Sequence, residues 1–268
     1  MSSLLLYVLK TLNQSSDANN IMNLNIVYIL TVLFTITVAI MIWFALTDLE
    51  VTKDKPSQQF DFKKAKEVLK NKNIWLLSLV ILSSYCGYKN IDNFSVYLVD
   101  VQGLSLERSS FYTSIIFWLR PISALIAGLL ADRIAINFKG GRFLTLSVLL
   151  MLGAITQFFL NQDINSSFTV IFSTMIFSAI FVYALRAIYF AVFEELTVPN
   201  RVVGTAVGIV SVVGFLPDFF FGALTGYLID NYPGRLGYNY VFLFTGLFLL
   251  IGSISSLLSF FSIRNTKP

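Results

Sequence analysis

Long apolar stretches separated by short polar segments dominate the chain. Seven stretches approach the length that a tilted helix needs to cross a bilayer core, which is about 20 residues. The predicted spans cover residues 25–47, 74–98, 110–132, 143–161, 166–193, 203–229 and 238–263. The apolar runs are continuous, whereas the strands of a membrane barrel are only about ten residues long and alternate. The pattern therefore predicts an all-α, polytopic transmembrane helix bundle of about seven spans.

The polar segments between the spans predict the boundaries of the domains. Residues 1–24 are interpreted as an outer segment, in which the short apolar run 4–9 is the possible remnant of a truncated helix. Residues 48–73 form a lysine-rich loop, residues 74–263 hold six spans, and residues 264–268 form a tail. Part of the lysine-rich loop is predicted either as an amphipathic surface helix or as a solvated linker, and both alternatives stay open.

Basic residues are concentrated in alternate loops. With the 48–73 loop placed inside, the inner segments carry 13 lysine and arginine residues, and the outer segments carry three. Short cytoplasmic loops of membrane proteins are enriched in these residues. The distribution predicts a plasma (inner) membrane protein with an outer N-terminus and a cytoplasmic C-terminus.

The composition agrees with a lipid environment and narrows the chemistry. Hydrophobic residues make up 56% of the chain and charged residues 13%, with a mean hydropathy of +0.75. Soluble proteins carry about 25% charged residues. The chain has no histidine and a single cysteine, Cys86, which excludes histidine bases, histidine metal sites and an intrachain disulfide. We predict no catalytic residue, no metal, no cofactor and no nucleic-acid partner.

Five ionisable residues fall inside the predicted spans: Lys89, Asp92, Arg120, Arg186 and Asp218. A charge at this depth costs several kcal/mol unless it faces a bundle interior or a wet cavity, so each is a candidate for substrate binding or coupling. Spans two, three, five and six carry these charges, and spans one, four and seven carry none. This period of three predicts that two helices of each triplet line a polar cavity, while the third faces only lipid.

A short repeat supports the same division. The third and sixth spans both end in a G-x-L-x-D pattern, from Gly128 to Asp132 and from Gly226 to Asp230, and each contains a proline beside a charged residue. The two copies run in opposite directions because the sixth span comes three crossings after the third. Inverted three-helix repeats with kinked helices are typical of secondary transporters.

Rows of small residues four positions apart recur in the same spans. Such rows let helix backbones approach closely in membranes. They predict close packing within the bundle at Ala124, Gly128, Gly204, Gly208, Gly222 and Gly226.

The membrane charges also have structural interpretations. Lys89 and Asp92 stand three residues apart on one helical face and could neutralise each other. Arg120 and Arg186 could be struts paired with the aspartate of span six or with Glu194. These alternatives stand beside the functional hypothesis.

In the functional hypothesis, the three cations bind a small anion. The planar fork of arginine suits carboxylate, sulfonate or phosphate groups. Asp92 or Asp218 would then bind a proton or a coupling cation, since burial and neighbouring cations set the pKa of such a carboxyl group.

Four features together resemble the C-terminal half of the major facilitator superfamily: the charge-free third spans, the basic loop, the G-x-L-x-D ends and the loop after span three. That loop resembles the family signature G-x-x-x-D-R followed by G-R at Gly128, Asp132, Arg133 and Arg142. It departs from the signature by the additional residues 134–139. The stretches 186–195 and 204–211 are similar to helices 10 and 11 of bacterial members.

The resemblance implies a fold of twelve helices in two halves, of which residues 25–47 would be helix 6 and residues 74–263 helices 7–12. It also implies a symporter or antiporter, with a small organic anion or sugar-like solute bound between the halves and a proton or cation as coupling ion. Helices 1–5 have no counterpart here, so Asp132 would lack its docking partner at the start of helix 5. The alternative is a non-transporting or split-transporter subunit that needs a partner chain. An enzyme is disfavoured because no nucleophile with a supporting base is present.

Overall fold

The computed structural model describes residues 18–45, 68–162, 167–196, 198 and 202–265. Within these ranges every regular element is helical, and the elements in chain order are α1 (Ala18–Ala45), α2 (Lys72–Asn90), α3 (Asn93–Asp100), α4 (Leu106–Asn137), α5 (Gly141–Asn161), α6 (Phe168–Ile188), a short 3-10 helix (Ala191–Glu194), α7 (Val203–Gly214), α8 (Pro217–Asn231) and α9 (Arg235–Asn265). The N-terminal segment, most of the basic loop, Arg201 and the end of the tail lie outside the described residues.

Six helical segments are long and apolar enough to cross a membrane. They are Lys72–Asp100, Leu106–Asn137, Gly141–Asn161, Phe168–Ile188, Val203–Asn231 and Arg235–Asn265. The described part of α1 adds a shorter apolar stretch, Tyr28–Phe44, in which no side chain is buried against the bundle. The predicted fold class, an all-α polytopic bundle, is confirmed.

Two of the six segments are interrupted. The first breaks between α2 and α3, where the amides of Ile91 and Asp92 each bond to the carbonyl three residues earlier, at 3.3 Å. The other breaks between α7 and α8, because Pro217 has no amide hydrogen and therefore begins a new helix. Pro121, in contrast, lies inside the continuous helix α4. Both breaks fall beside predicted site residues.

The helices α5 and α9 form the most extensive pair in the bundle, and both also pack against other helices. Small residues make the close approach possible. The hydroxyl of Ser147 donates to the Ser253 carbonyl at 3.0 Å, and that of Ser256 donates to the Phe143 carbonyl at 2.6 Å. On α9, Gly252 lies so close to Ser83 of α2 that a β-carbon there would be 2.5 Å from the Ser83 β-carbon.

That the charge-free spans face only lipid stays a prediction, and the structure adds how far each span is buried within the bundle. In α5 and in α9, 50% of the most apolar window is buried inside the bundle, whereas the least buried spans are α4, at 28%, and α7–α8, at 22%. Packing through serine and glycine leaves no trace in the charge pattern, so that pattern could not predict the contact between α5 and α9.

The small-residue rows are also placed differently from the prediction. A β-carbon added at any of the five glycines in these rows would meet nothing within 4 Å among the described residues. The five are Gly128, Gly204, Gly208, Gly222 and Gly226. The rows therefore lie on open faces of α4, α7 and α8 and do not make the close contacts of the bundle.

Candidate functional site

The predicted membrane charges come together around the break between α2 and α3. Lys89 lies in the last turn of α2, Arg120 in the middle of α4, Arg186 in the last turn of α6, and Asp218 in the first turn of α8. Aromatic side chains of α2, α4 and α6 join them into one cluster. We call these four residues and the rings they contact the cation cluster.

Lys89 pairs with Asp218 across two helices. Its Nζ lies 3.1 Å from Oδ1 of Asp218, and the hydroxyl of Tyr85 donates to both oxygens of the same carboxylate at 3.0 Å. The alternative pairing of Lys89 with Asp92 along one helix is therefore wrong. The helix break moves Asp92 out of the regular spacing, and the start of α8 offers a closer partner.

Among the described residues, the two arginines contact aromatic rings and no carboxylate. The guanidinium carbon of Arg120 lies 4.7 Å from the ring centre of Phe117, 5.0 Å from that of Tyr183 and 5.3 Å from that of Tyr88. The Arg186 guanidinium carbon lies 4.1 Å from the Tyr88 ring centre. Such cation–π contacts hold a guanidinium in place without neutralising its charge.

Neither Arg120 nor Arg186 forms the structural ion pair with Asp218 or Glu194 that was one of the alternatives. Among the described residues, Asp218 is engaged by Lys89 and Tyr85, and Glu194 pairs with Arg142, so both proposed carboxylate partners are occupied elsewhere. The buried Nε of Arg120 has no hydrogen-bond partner within the described part of the chain. Within the described part of the chain, the cluster thus holds two guanidinium charges that no carboxylate pairs with directly.

Asp92 completes the predicted set. It occupies the break between α2 and α3, is exposed, and lies within the electrostatic influence of Lys89 and Arg120. Arg186 and Asp218 are exposed as well, so the cluster opens on the side of the bundle that α5 and α9 do not cover.

The sequence reasoning missed the aromatic residues of the site, although a simple signal was present. Each arginine has an aromatic residue three positions before it on its own helix: Phe117 precedes Arg120, and Tyr183 precedes Arg186. Residues three apart lie on one helical face, and this spacing predicts the contact of Phe117 with Arg120. Tyr183 is buried and contacts Arg120 of the neighbouring helix, so the same spacing would assign it to the wrong arginine.

A buried amide network lies next to the cation cluster and was also missed. Asn90 donates to the side-chain oxygen of Gln157 at 2.9 Å, and the Gln157 amide donates to the hydroxyl of Ser178 at 2.7 Å. Asn93 donates to Asn90 at 3.2 Å across the helix break. The network fixes the end of α2 to α5 and α6, next to Lys89.

The loop signature forms a separate cluster at the α4–α5 end of the bundle. Arg142 donates to Oδ1 of Asp132 at 2.9 Å and to Oε2 of Glu194 at 2.6 Å, while its backbone amide donates to Oε1 of Glu195 at 2.9 Å. We call these four residues the signature cluster. Arg133 is exposed beside it, and residues 134–137, additional to the family pattern, continue helix α4.

Glu195 has an unusual environment in this cluster. Burial raises the pKa of its carboxyl group, and the backbone amides of Arg142 and Phe143 oppose that effect. Its Oε2 atom is buried and accepts no hydrogen bond from the described residues. Glu194, in contrast, is largely exposed and is paired.

Comparisons with known proteins agree with this architecture. Residues 20–222 match the family model described as Major Facilitator Superfamily. The chain is 26% identical over 212 residues to the inner membrane protein YqcE and 27% identical over 232 residues to the inner membrane protein YihN, both of Escherichia coli. The matches cover 78% and 84% of this chain.

A third relative is a phosphoglycerate transporter protein of Salmonella typhimurium, 29% identical over 188 residues, which are 70% of this chain and 38% of that protein. The crystal structure of a bacterial homolog of the human lysosomal transporter Spinster, inward-facing and unoccupied, is similar with a TM-score of 0.59 at 17% identity. That match covers 87% of this chain and 58% of the other, and it shows the likeness of fold.

The chain spans about half the length of the curated relatives it matches, 50% of YqcE and 54% of YihN. The family model covers most of the chain, and the six spans have the apolar length that a multi-pass membrane protein requires. The chain belongs to the major facilitator superfamily of transporters.

Proposed function

We propose that this chain forms one wall of the substrate pathway in a secondary transporter, a symporter or antiporter, for a small organic anion. Lys89, Arg120 and Arg186 contribute three positive charges, and one of the two nearby carboxylates is occupied by Lys89. The single observation that carries the proposal is the pair of guanidinium groups held by aromatic rings without a carboxylate partner.

An anion is preferred over an uncharged, sugar-like solute. Three cations face only two carboxylates in the site, so a neutral solute would leave a net positive charge at membrane depth, which costs free energy. The name of the Salmonella relative, a phosphoglycerate transporter protein, points to the same class of substrate. Guanidinium groups are well suited to phosphate and carboxylate oxygens because they donate in a planar fork.

Coupling is assigned to the carboxylates of the site. When Asp218 is ionised, it holds Lys89; when it is protonated, it releases the lysine to a bound anion. Asp92 is the second coupling or gating candidate because it lies in the helix break and interacts with both Lys89 and Arg120. Proton binding and anion binding would then favour each other, as symport requires.

The roles of the two arginines are tested by measuring anion uptake in the complete transporter that contains this half. Arg120→Gln and Arg186→Gln should each abolish anion uptake, because each removes a charge that the substrate contacts. Arg108→Gln is the matched control, since it makes the same change at the exposed outer end of α4. Unchanged uptake in both site variants would refute the assignment.

A specific observation also favours the second candidate, a subunit of a split transporter that needs a partner chain. The open glycine rows of α7 and α8, together with the low burial of α4, provide surfaces on which further helices can pack. In pull-down experiments from membranes, a split transporter should co-purify with a partner of five or six spans. Uptake by the purified chain alone would contradict this candidate.

The membrane placement is proposed from the loop charges and the inner-membrane relatives. We infer an inner membrane protein in which the signature cluster and the C-terminus face the cytoplasm. In sealed right-side-out vesicles of a Cys86→Ala background, Gln102→Cys should react with an impermeant thiol reagent. Lys139→Cys should react only after the vesicles are opened, and the reverse order would contradict the orientation.

A further inference from the structure

We propose that Tyr88 is a positioning residue that sets the separation of Arg120 and Arg186, so that one oxyanion can accept hydrogen bonds from both. The proposal rests on the proposed function, because it concerns the anion that these arginines bind. It adds a specificity-determining residue that carries no charge and that the charge pattern does not reveal.

The geometry singles out this ring. Arg120 lies 5.3 Å and Arg186 4.1 Å from the centre of Tyr88, so the two guanidinium carbons are less than about 10 Å apart. The other rings contact mainly one of the two: Phe117 and Tyr183 lie beneath Arg120, and Tyr85 lies 5.9 Å from Arg186. Within the described part of the chain, Tyr88 is therefore the ring that the two arginines share.

An aromatic ring is better suited than a carboxylate to hold two guanidinium groups close together and still leave them able to bind a ligand. Two guanidinium groups repel each other, and a shared carboxylate would hold them together only by occupying their donors and cancelling charge. The negative face of an aromatic ring attracts a guanidinium and leaves its N–H groups free. Among the described residues, neither Arg120 nor Arg186 forms an ion pair with a carboxylate, so each keeps its charge for a ligand.

The arrangement favours a ligand with several acceptor oxygens in three dimensions. The two guanidinium groups come from different helices, α4 and α6, and would therefore approach a shared ligand from two directions. A phosphate group presents oxygens in both directions, whereas a single carboxylate presents two oxygens in one plane. Tyr88 thus selects a phosphate-like oxyanion through the spacing of the two forks.

Arginine modification tests the proposal without a transport assay. The purified full chain in lipid nanodiscs is treated with phenylglyoxal over a range of inorganic phosphate concentrations, and modification of each arginine is followed by mass spectrometry. We expect phosphate to protect Arg120 and Arg186 with the same midpoint, because one ion contacts both. Arg142, which is engaged in the signature cluster, serves as the internal reference for non-specific salt effects.

Four variants isolate the role of the ring. Tyr88→Phe keeps the aromatic face and should retain the common midpoint. Tyr88→Leu and Tyr88→Met remove the face and should raise both midpoints by about tenfold, the loss of roughly one cation–π contact. Phe117→Leu is the matched control: it removes a ring under Arg120 alone and keeps the ring that the two arginines share, so the midpoint should stay common to both and shift less than in Tyr88→Leu.

The outcomes separate the two proposals. Equal protection in the wild type, Tyr88→Leu and Tyr88→Met would overturn the role of Tyr88 and leave the anion site standing. Absence of protection in the wild type, or equal protection of Arg142, would overturn the anion site itself and the role of Tyr88 with it. Folding of each variant is checked by size-exclusion chromatography. If only one of Tyr88→Leu and Tyr88→Met folds, that variant alone is compared with the wild type.

Discussion

Lys89 Nζ lies 3.1 Å from the Asp218 carboxylate, and this contact joins the end of α2 to the start of α8. The side chains of the pair remain 29% and 47% exposed. Partly exposed ion pairs contribute little to folding, typically about 1 kcal/mol or less. Under the proposed function, the contact therefore matters chiefly because it decides whether the lysine charge is available to a substrate.

Asp218→Asn should separate coupling from stability. We expect a change in the free energy of unfolding below about 1 kcal/mol and anion uptake that no longer responds to a proton gradient, because Lys89 is permanently released. Uptake in proteoliposomes of the complete transporter, with and without a gradient, measures this. Asp230→Asn, at the other end of α8, is the control. A full gradient response in Asp218→Asn would contradict the assignment.

Arg142→Gln should destabilise the chain by about 1–3 kcal/mol, because it removes charge-assisted hydrogen bonds to two carboxylates. The Arg142 side chain is only 15% exposed, so its loss is not fully replaced by water. Arg142→Lys keeps the charge but not the fork, and its effect should be smaller. Unfolding can be followed with a thiol-reactive dye, since Cys86 is buried in the folded chain. Equal stability of all three proteins would contradict the prediction.

Glu195 should make stability depend on pH. Burial raises the pKa of its carboxyl group above the ordinary value of 4.5, so the folded chain binds this proton more tightly than the unfolded chain. This tighter proton binding adds to the free energy of unfolding below pH 4.5, and the contribution is lost as the pH rises through the raised pKa.

The test compares unfolding temperatures of wild type and Glu195→Gln from acidic to neutral pH. The amide can still accept from the backbone of Arg142, so we expect the variant to keep its fold and to lose part of the decline with pH. Glu194→Gln removes the neighbouring charge that also interacts with Arg142, and it should not flatten the profile in the same way. Parallel profiles for wild type and Glu195→Gln would exclude this role of Glu195.

Gln157→Leu should cost about 1–3 kcal/mol, because it leaves the amide of Asn90 buried without its acceptor. The double variant Gln157→Leu with Asn90→Leu removes both partners, and it should recover part of the loss. Chemical unfolding in detergent measures the difference. Additive losses in the double variant would show that the two amides do not act as a pair.

The sequence allowed the fold class to be predicted, because lipid leaves few options for satisfying backbone groups and the apolar runs are long. It also allowed the ionisable members of the cation cluster to be named, since a charge in such a run needs a polar surrounding. Both inferences compare the polarity of one residue or one segment with the polarity of its surroundings, and neither needs the position of another helix.

Pairings between helices were not predictable in the same way. The choice of Asp218 over Asp92 by Lys89 depends on two helix breaks, at Ile91–Asp92 and before Pro217, which shift the faces of the helices. The α5–α9 contact arises from serine and glycine, residues that are equally compatible with a lipid-facing surface. Such contacts follow from the relative placement of two helices, which periodicity along one chain does not specify.

The open side of the cation cluster divides recognition between two surfaces. Arg186, Asp218 and Asp92 are exposed, so under the proposed function this wall would determine the sign of the charge of a solute and leave its size to the opposing surface. The volume of the chamber is set by whatever surface closes over it. Transporters that share this wall can therefore accept anions of different length, and changes of selectivity among them are expected to map to the opposing wall.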